Sequence, residues 1–175
     1  MTVPIISDAH GGGARIHGVL EKLHAIKEYP KEAIFLGDGA RNFLMSLPED
    51  IKLYAVLGNC DDTGREIYDG EGEIIPLERI EVIGGARVLM MHGHRYFVKH
   101  SLSEAIFRAA SLNADILLFG HTHEAFYKTL PEGEEVGGIP LKKTLHVFNP
   151  GALRDGSFGL LTVINGSILL SHGKV

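Results

Sequence analysis

Short apolar runs broken by turn residues fill the chain, and their spacing changes part-way along it. Val3–Ser7 reads as a buried strand. Ile16, Val19, Leu20, Leu23 and Ile26 then recur at helical spacing, with a stop before Pro30. Ala33–Leu36 is a second buried strand. A short helix over Arg41–Leu47 follows, carrying Phe43, Leu44 and Leu47 up to Pro48, and Lys52–Leu57 is a third strand. A βαβαβ order of this kind favours parallel pairing with helices covering the sheet.

Beyond this point the pattern turns to hairpins. Ile74–Ile83 and Ala86–Met91 flank Gly84-Gly85, a two-residue turn signal. Ser101-Leu102-Ser103-Glu104 has the form of a capping box opening a helix that uses Leu102, Ile106, Ala109 and Ala110 and ends near Asn113. Ile116–Phe119 is another buried strand, and Pro131–Pro140 reads as a polar, glycine-rich loop. Leu145–Phe148, Phe158–Ile164 and Ile168–Ser171 complete the strands, the last two joined by Asn165-Gly166. No repeat or linker divides the chain. The expectation is one α/β domain over residues 1–175, with two mixed sheets face to face and helices outside.

The strand ends carry the chemistry. Asp8 and His10 follow the first strand, Asp38 the second and Asn59 the third. His92 follows Val88–Met91, and His121 and His123 follow Ile116–Gly120. Ligands of open α/β sheets collect beyond the carboxyl ends of the strands. Two Asp, four His and one Asn at five such ends are a poor match to chance. Imidazoles mixed with carboxylates suit Mn, Zn, Fe or Ni, whereas an all-oxygen set would favour Mg or Ca. Seven donors exceed what one catalytic ion uses, but two ions about 3.5–4 Å apart that share a carboxylate would use them all. The i, i+2 spacing in Asp8-Ala9-His10 and His121-Thr122-His123 would aim both members to one side of extended backbone.

Composition narrows the partners. A net charge of −5 gives no basic stripe for duplex nucleic acid, so a small anionic substrate met by cations in a pocket is the expectation. The single cysteine excludes an intrachain disulfide and fits a reducing compartment. No basic, signal-like leader opens the sequence, and no apolar run is long enough to span a bilayer. Cytoplasmic localisation is expected, and a homo-oligomer is compatible with everything above.

Asp8-Ala9-His10, Gly37-Asp38, Gly58-Asn59-Cys60-Asp61, His92-Gly93-His94 and Gly120-His121-Thr122-His123 stand in the order of the calcineurin-like metallophosphoesterase motifs. The chain resembles the small single-domain bacterial and archaeal phosphodiesterases related to the retromer subunit Vps29, and the resemblance runs from Ile5 to Asn149-Pro150-Gly151. It implies a four-layer αββα sandwich and a phosphodiesterase with two divalent ions, Mn²⁺ foremost and Zn²⁺, Fe²⁺ or Ni²⁺ as alternatives. It further implies Asp8, His10, Asp38 and His123 on one ion, and Asp38, Asn59, His92 and His121 on the other. By the same resemblance Asp38 would bridge the ions, and a hydroxide held between them would attack phosphorus. The same resemblance carries an alternative function, a protein-interaction scaffold like Vps29. Loss of ligands would favour the scaffold, and no ligand position is lost.

Other residues have plainer readings beside the functional ones. Asp38 could cap the helix that follows it, and Asn59 could simply be a turn residue. Cys60 stands where many members of the larger family carry a His that protonates the leaving group, so cleavage of unactivated esters is expected to be weak. His94 is read as a substrate contact or a backbone-carbonyl ligand, with support behind the ligands as the alternative. Asp61 either orients a neighbour or caps the next segment. Gly11-Gly12-Gly13 suggests backbone amides brought close to a phosphate, for the chain has neither a Gly-x-Ser-x-Gly elbow nor a Gly-Lys-Ser/Thr loop. Asp-x-His early and His-x-His late is the reverse of the amidohydrolase order. Arg15, His17, His24, His100, His146 and His172 read as surface or packing residues.

Overall fold

The computed structural model describes residues 2–61 and 64–175; Met1, at the head of the first strand segment, lies outside them. Five strands form the first sheet: β1 (Thr2–Ile6), β2 (Glu32–Phe35), β3 (Lys52–Ala55), and, from the far end of the chain, β11 (Ser157–Ile164) and β12 (Ser167–Lys174). Their order is β12-β11-β1-β2-β3. β1, β2 and β3 run parallel, with Ile5 opposite Ile34 and Ile34 opposite Tyr54. The second sheet has the order β4-β5-β6-β10-β7, built from β4 (Glu78–Ile83), β5 (Ala86–Met91), β6 (Ile116–Leu118), β7 (Ala125–Leu130) and β10 (Leu145–Pro150). In it β5, β6 and β10 are parallel.

Three apolar clusters define the layers. One lies between the sheets and joins Val3, Ile5, Ile34 and Val56 to Val88, Met90, Ile116 and Phe148. A second lies on the outer face of the first sheet, where α1 (Ile16–Ala25) buries Ile16, Val19, Leu20 and Leu23 and α2 (Ala40–Ser46) buries Ala40 and Phe43. The third lies under α3 (Ser103–Ser111), which covers Leu89, Leu117 and Val147 of the second sheet. A strand buried on both faces reads as a continuous apolar run, as Val3–Ile6, Ala33–Phe35 and Ile116–Leu118 do. The result is the four-layer αββα sandwich.

Both two-residue hairpins form where the sequence places them. Ile83 faces Ala86 across Gly84-Gly85, and Ile164 faces Ser167 across Asn165-Gly166. All four turn residues have positive φ, as such turns require.

Several elements depart from the sequence reading. The strand expected over Ile74–Ile83 starts only at Glu78, because Pro76 cannot donate to a ladder; Ile74 makes just an isolated bridge to Tyr68. Ala125–Leu130 forms an edge strand that the apolar pattern does not reveal, since only Leu130 is buried. The expected loop over Pro131–Pro140 contains a tiny hairpin of β8 (Glu135–Val136) and β9 (Ile139–Pro140), too short to show a period of two. Ile26 lies past the end of α1 and is 64% exposed. The capping box is not made, since the Ser101 N–H donates to Phe97 O (3.2 Å) and Ser101 Oγ accepts from Ser103 N (3.1 Å).

Candidate metal centre

Asp8 and Asp38 follow adjacent parallel strands of one sheet, and His92 and His121 follow adjacent parallel strands of the other. Face-to-face packing brings the four loops together. Asp8 Oδ1 lies 3.1 Å from His123 Nε2, 3.7 Å from His10 Nε2 and 3.9 Å from His92 Nε2. Asp38 Oδ2 lies 3.3 Å from His92 Nε2 and 3.8 Å from His10 Nε2. Three sets of donor atoms each fit within 4.8 Å: Asp8, His10 and His123; Asp38, His92 and His121; and His10, Asp38 and Cys60.

The i, i+2 pairs arrive by a different route from the one expected. Their backbone is not extended. Asp8, His10, Asp38, His121 and His123 all have φ between 42° and 68°, and they are five of the nine non-glycine residues with positive φ among those described. Each such conformation costs about 1–3 kcal/mol and persists only where the surroundings enforce it. Asp and His tolerate this region better than bulky or β-branched residues.

The surroundings can be named. Asp61 accepts four backbone hydrogen bonds, from Asp38 N (2.7 Å) and Gly58 N (2.9 Å) on Oδ2, and from Gly39 N (2.8 Å) and Ala40 N (2.9 Å) on Oδ1. Asp38 and Gly39 are left-handed, and the successive amides of Asp38, Gly39 and Ala40 form a concavity that the Asp61 carboxylate fills. Asp61 thereby orients the Asp38 loop, one of its two sequence readings, and it also caps α2, a helix that precedes it rather than the segment that follows. The cap of α2 is supplied by Asp61, and Asp38 does not serve in that role. Two glycines allow the loops to touch: a Cβ on Gly58 would collide with Asp38 Oδ1, and one on Gly120 with Ser7 Oγ.

Further hydrogen bonds hold the donors in place. Ser7 Oγ donates to Asp8 Oδ2 (2.6 Å), which also accepts His121 N (3.1 Å). His92 Nδ1 is 2.8 Å from Leu36 O, which turns Nε2 toward the centre. Buried Asn149 donates through Nδ2 to Gly120 O (3.0 Å) and Thr122 Oγ1 (3.1 Å), bracing the His121–His123 loop. The bracing role of Asn149 is not legible from its sequence position, where only the Asn-Pro-Gly motif marks it. His172 stacks on Phe148 with Nε2 2.8 Å from Asn149 O, which fits its packing role.

The donor set has the chemistry of a cation site. Among the described residues Asp8 Oδ1 and His92 Nε2 are buried without a hydrogen-bond partner, a costly state for polar atoms unless an ion completes them. His10 Nε2 faces His123 Nε2 at 3.1 Å, and two imidazole nitrogens aimed at each other suit a shared cation far better than two protons. Burial pushes the His92 imidazole down, but the facing Asp38 carboxylate and the charge of Asp8 outweigh it, leaving its pKa above the ordinary value. Burial likewise raises the Asp38 carboxyl, yet His92 and the Cys60 N–H bring it well below the carboxylate range. Burial and then the charge of His92 push His121 down to about 4, keeping its ring neutral and its lone pair free to ligate.

Asn59 and Cys60 are exposed at the rim. Asn59 Nδ2 donates to Cys60 Sγ (3.4 Å), and Cys60 N donates to Asp38 Oδ1 (2.8 Å). Burial, followed by Asp38, pushes the Cys60 thiol up to about 11. The His94 ring lies 5.5 Å from that of His92 and 6.2 Å from that of His121. Of the glycine run, Gly13 serves packing, for a Cβ there would press on Asn42 O at 2.7 Å, while Gly11 lines a cavity of about 330 Å³ with His10, Arg41 and Cys60. Arg15, His17, His24 and His100 are exposed, and His146 bonds Tyr127 Oη (2.9 Å).

Fold and donor set together define an αββα sandwich with a candidate metal-binding cluster of mixed imidazole and carboxylate character at its strand ends. Residues 1–168 match the calcineurin-like phosphoesterase superfamily domain, and the chain belongs to that superfamily. It is 31% identical over 172 residues to the probable metallophosphoesterase YsnB of Bacillus subtilis (strain 168), covering 94% of this chain and 86% of that protein. An archaeal phosphodiesterase superposes with a TM-score of 0.66 at 22% identity, covering 98% of this chain and 99% of that one. Vps29 of Entamoeba histolytica, solved in complex with Zn²⁺, superposes with a TM-score of 0.60 at 20% identity over 99% of each chain. Among the described residues no helix is long and apolar enough to cross a membrane.

Proposed function

We propose that this protein is a cytoplasmic phosphodiesterase that uses two divalent ions, Mn²⁺ foremost. The observation that carries this reading is the convergence of Asp8, Asp38, His10, His92, His121 and His123, with Asp8 Oδ1 and His92 Nε2 buried and unpartnered. Asp8, His10, Asp38 and His123 would hold one ion, and Asp38, Asn59, His92 and His121 the other. Bound there, the ions would neutralise charge at phosphorus and supply an acidified water. Asp61 and Asn149 fix the two halves of this ligand set by bracing the loops that carry them. His94 stands beside His92 and His121, in reach of a substrate oxygen at the rim.

The diester preference rests on the branch the motifs resemble, on the archaeal neighbour, and on Cys60 in place of an imidazole. General acid catalysis contributes typically about 10²–10⁴-fold, and a basic alkoxide needs it more than an aryl oxide does. The test is hydrolysis of bis-p-nitrophenyl phosphate against alkyl phosphomonoesters, with and without a chelator. Mn²⁺-dependent turnover of the aryl diester, with much weaker turnover of the alkyl monoesters, is the expected result. Undiminished activity in a verified metal-free sample would sink the mechanism. Metal uptake with no turnover of any ester would favour the second reading, a scaffold of the Vps29 kind, which the zinc-bound structural neighbour keeps in view.

A further inference from the structure

We infer that the Cys60 thiolate is itself a ligand of the first ion, beside His10 and Asp38, and that it draws zinc-like ions to that position. The inference rests on the metal-dependent reading above. Cys60 Sγ, a His10 ring nitrogen and an Asp38 carboxylate oxygen lie within 4.8 Å of one another, the same limit that contains the Asp8, His10, His123 set. His10 belongs to both sets, so the sulfur stands on the first ion's side. The opposite set, Asp38 with His92 and His121, contains no sulfur.

Two hydrogen bonds favour that role. The Cys60 N–H donates to Asp38 Oδ1 (2.8 Å), locking the residue against the proposed bridging carboxylate. The Asn59 amide donates to Sγ (3.4 Å), so the sulfur already serves as an acceptor. Independently, Asp8 Oδ1 is fully buried, has no hydrogen-bond partner among the described residues and lies 3.7 Å from His10 Nε2. On binding, the thiol loses its proton to solvent as the sulfur–metal bond forms, with no change of oxidation state. Thiolate is a soft ligand that favours Zn²⁺ and Co²⁺ over Mn²⁺. A sulfur engaged in this way cannot protonate a leaving group, in accord with the preference for activated esters.

Cys60 is the only cysteine in the chain, so every thiol measurement reports on it alone. The full-length protein loaded with Co²⁺ should show a thiolate-to-cobalt charge-transfer band in the near ultraviolet. Cys60→Ser should lose the band while still binding cobalt, and its affinity for Zn²⁺ relative to Mn²⁺ should fall at least on the order of 10-fold. Without any variant, Zn²⁺ should protect the thiol from a disulfide reagent, and a chelator should restore its reactivity. Stoichiometric cobalt without the band, or a thiol equally reactive with and without Zn²⁺, overturns the assignment and leaves the phosphoesterase reading standing. A protein that takes up no divalent ion overturns both.

Discussion

Asp38→Asn is expected to strip bound metal and to lower phosphodiester turnover by at least about 10²–10³-fold, the scale seen when a single electrostatic stabiliser is removed from an active site. Asp38 belongs to two of the donor sets, and its Oδ2 lies between His92 and His10. The amide retains an oxygen for the Cys60 N–H, so the loop should keep its shape and metal loss should be separable from unfolding. Elemental analysis, kcat/KM and circular dichroism on one preparation make the measurement. His146→Ala is the control: this residue bonds Tyr127 at the opposite end of β10 from Asn149, and turnover should stay near that of the parent protein. Two ions per chain retained in Asp38→Asn would show that the bridge is wrongly placed.

Asp61→Asn is expected to produce the largest loss of stability for a change that removes no proposed ligand. An amide keeps one acceptor oxygen and turns an NH₂ group toward two of the four backbone amides that the carboxylate now accepts. Two buried donors left unmet cost about 1–3 kcal/mol each, so roughly 2–6 kcal/mol is expected from urea unfolding. The concavity formed by the Asp38, Gly39 and Ala40 amides would lose its anion as well, and the left-handed Asp38 would relax. Metal affinity should then fall on the order of 10–100-fold, as for other groups that orient ligands. Unfolding midpoints with and without Mn²⁺ separate the two effects. A midpoint and a metal affinity both matching the parent protein would remove Asp61 from the account.

The elements that the sequence determines by itself are those whose cause is local. Helical spacing places α1, and apolar runs bounded by turns place β1, β2 and β3. Gly84-Gly85 and Asn165-Gly166 dictate hairpins through φ values that few other residue types accept. The order of Asp8, His10, Asp38, Asn59, His92, His121 and His123 is legible too, because each follows a recognisable buried strand and parallel strands deliver their ends to one side. Only the tertiary structure decides matters that join distant parts of the chain. Asp61 serves a loop more than twenty residues before it, and Asn149 braces a loop nearly thirty before it. β7 exists because β10 offers an edge, with almost no buried face of its own to mark it. The Asp-x-His and His-x-His pairs converge through left-handed turns that neighbouring loops enforce. A two-residue period describes free extended backbone, and the packed loop ends around this centre leave none.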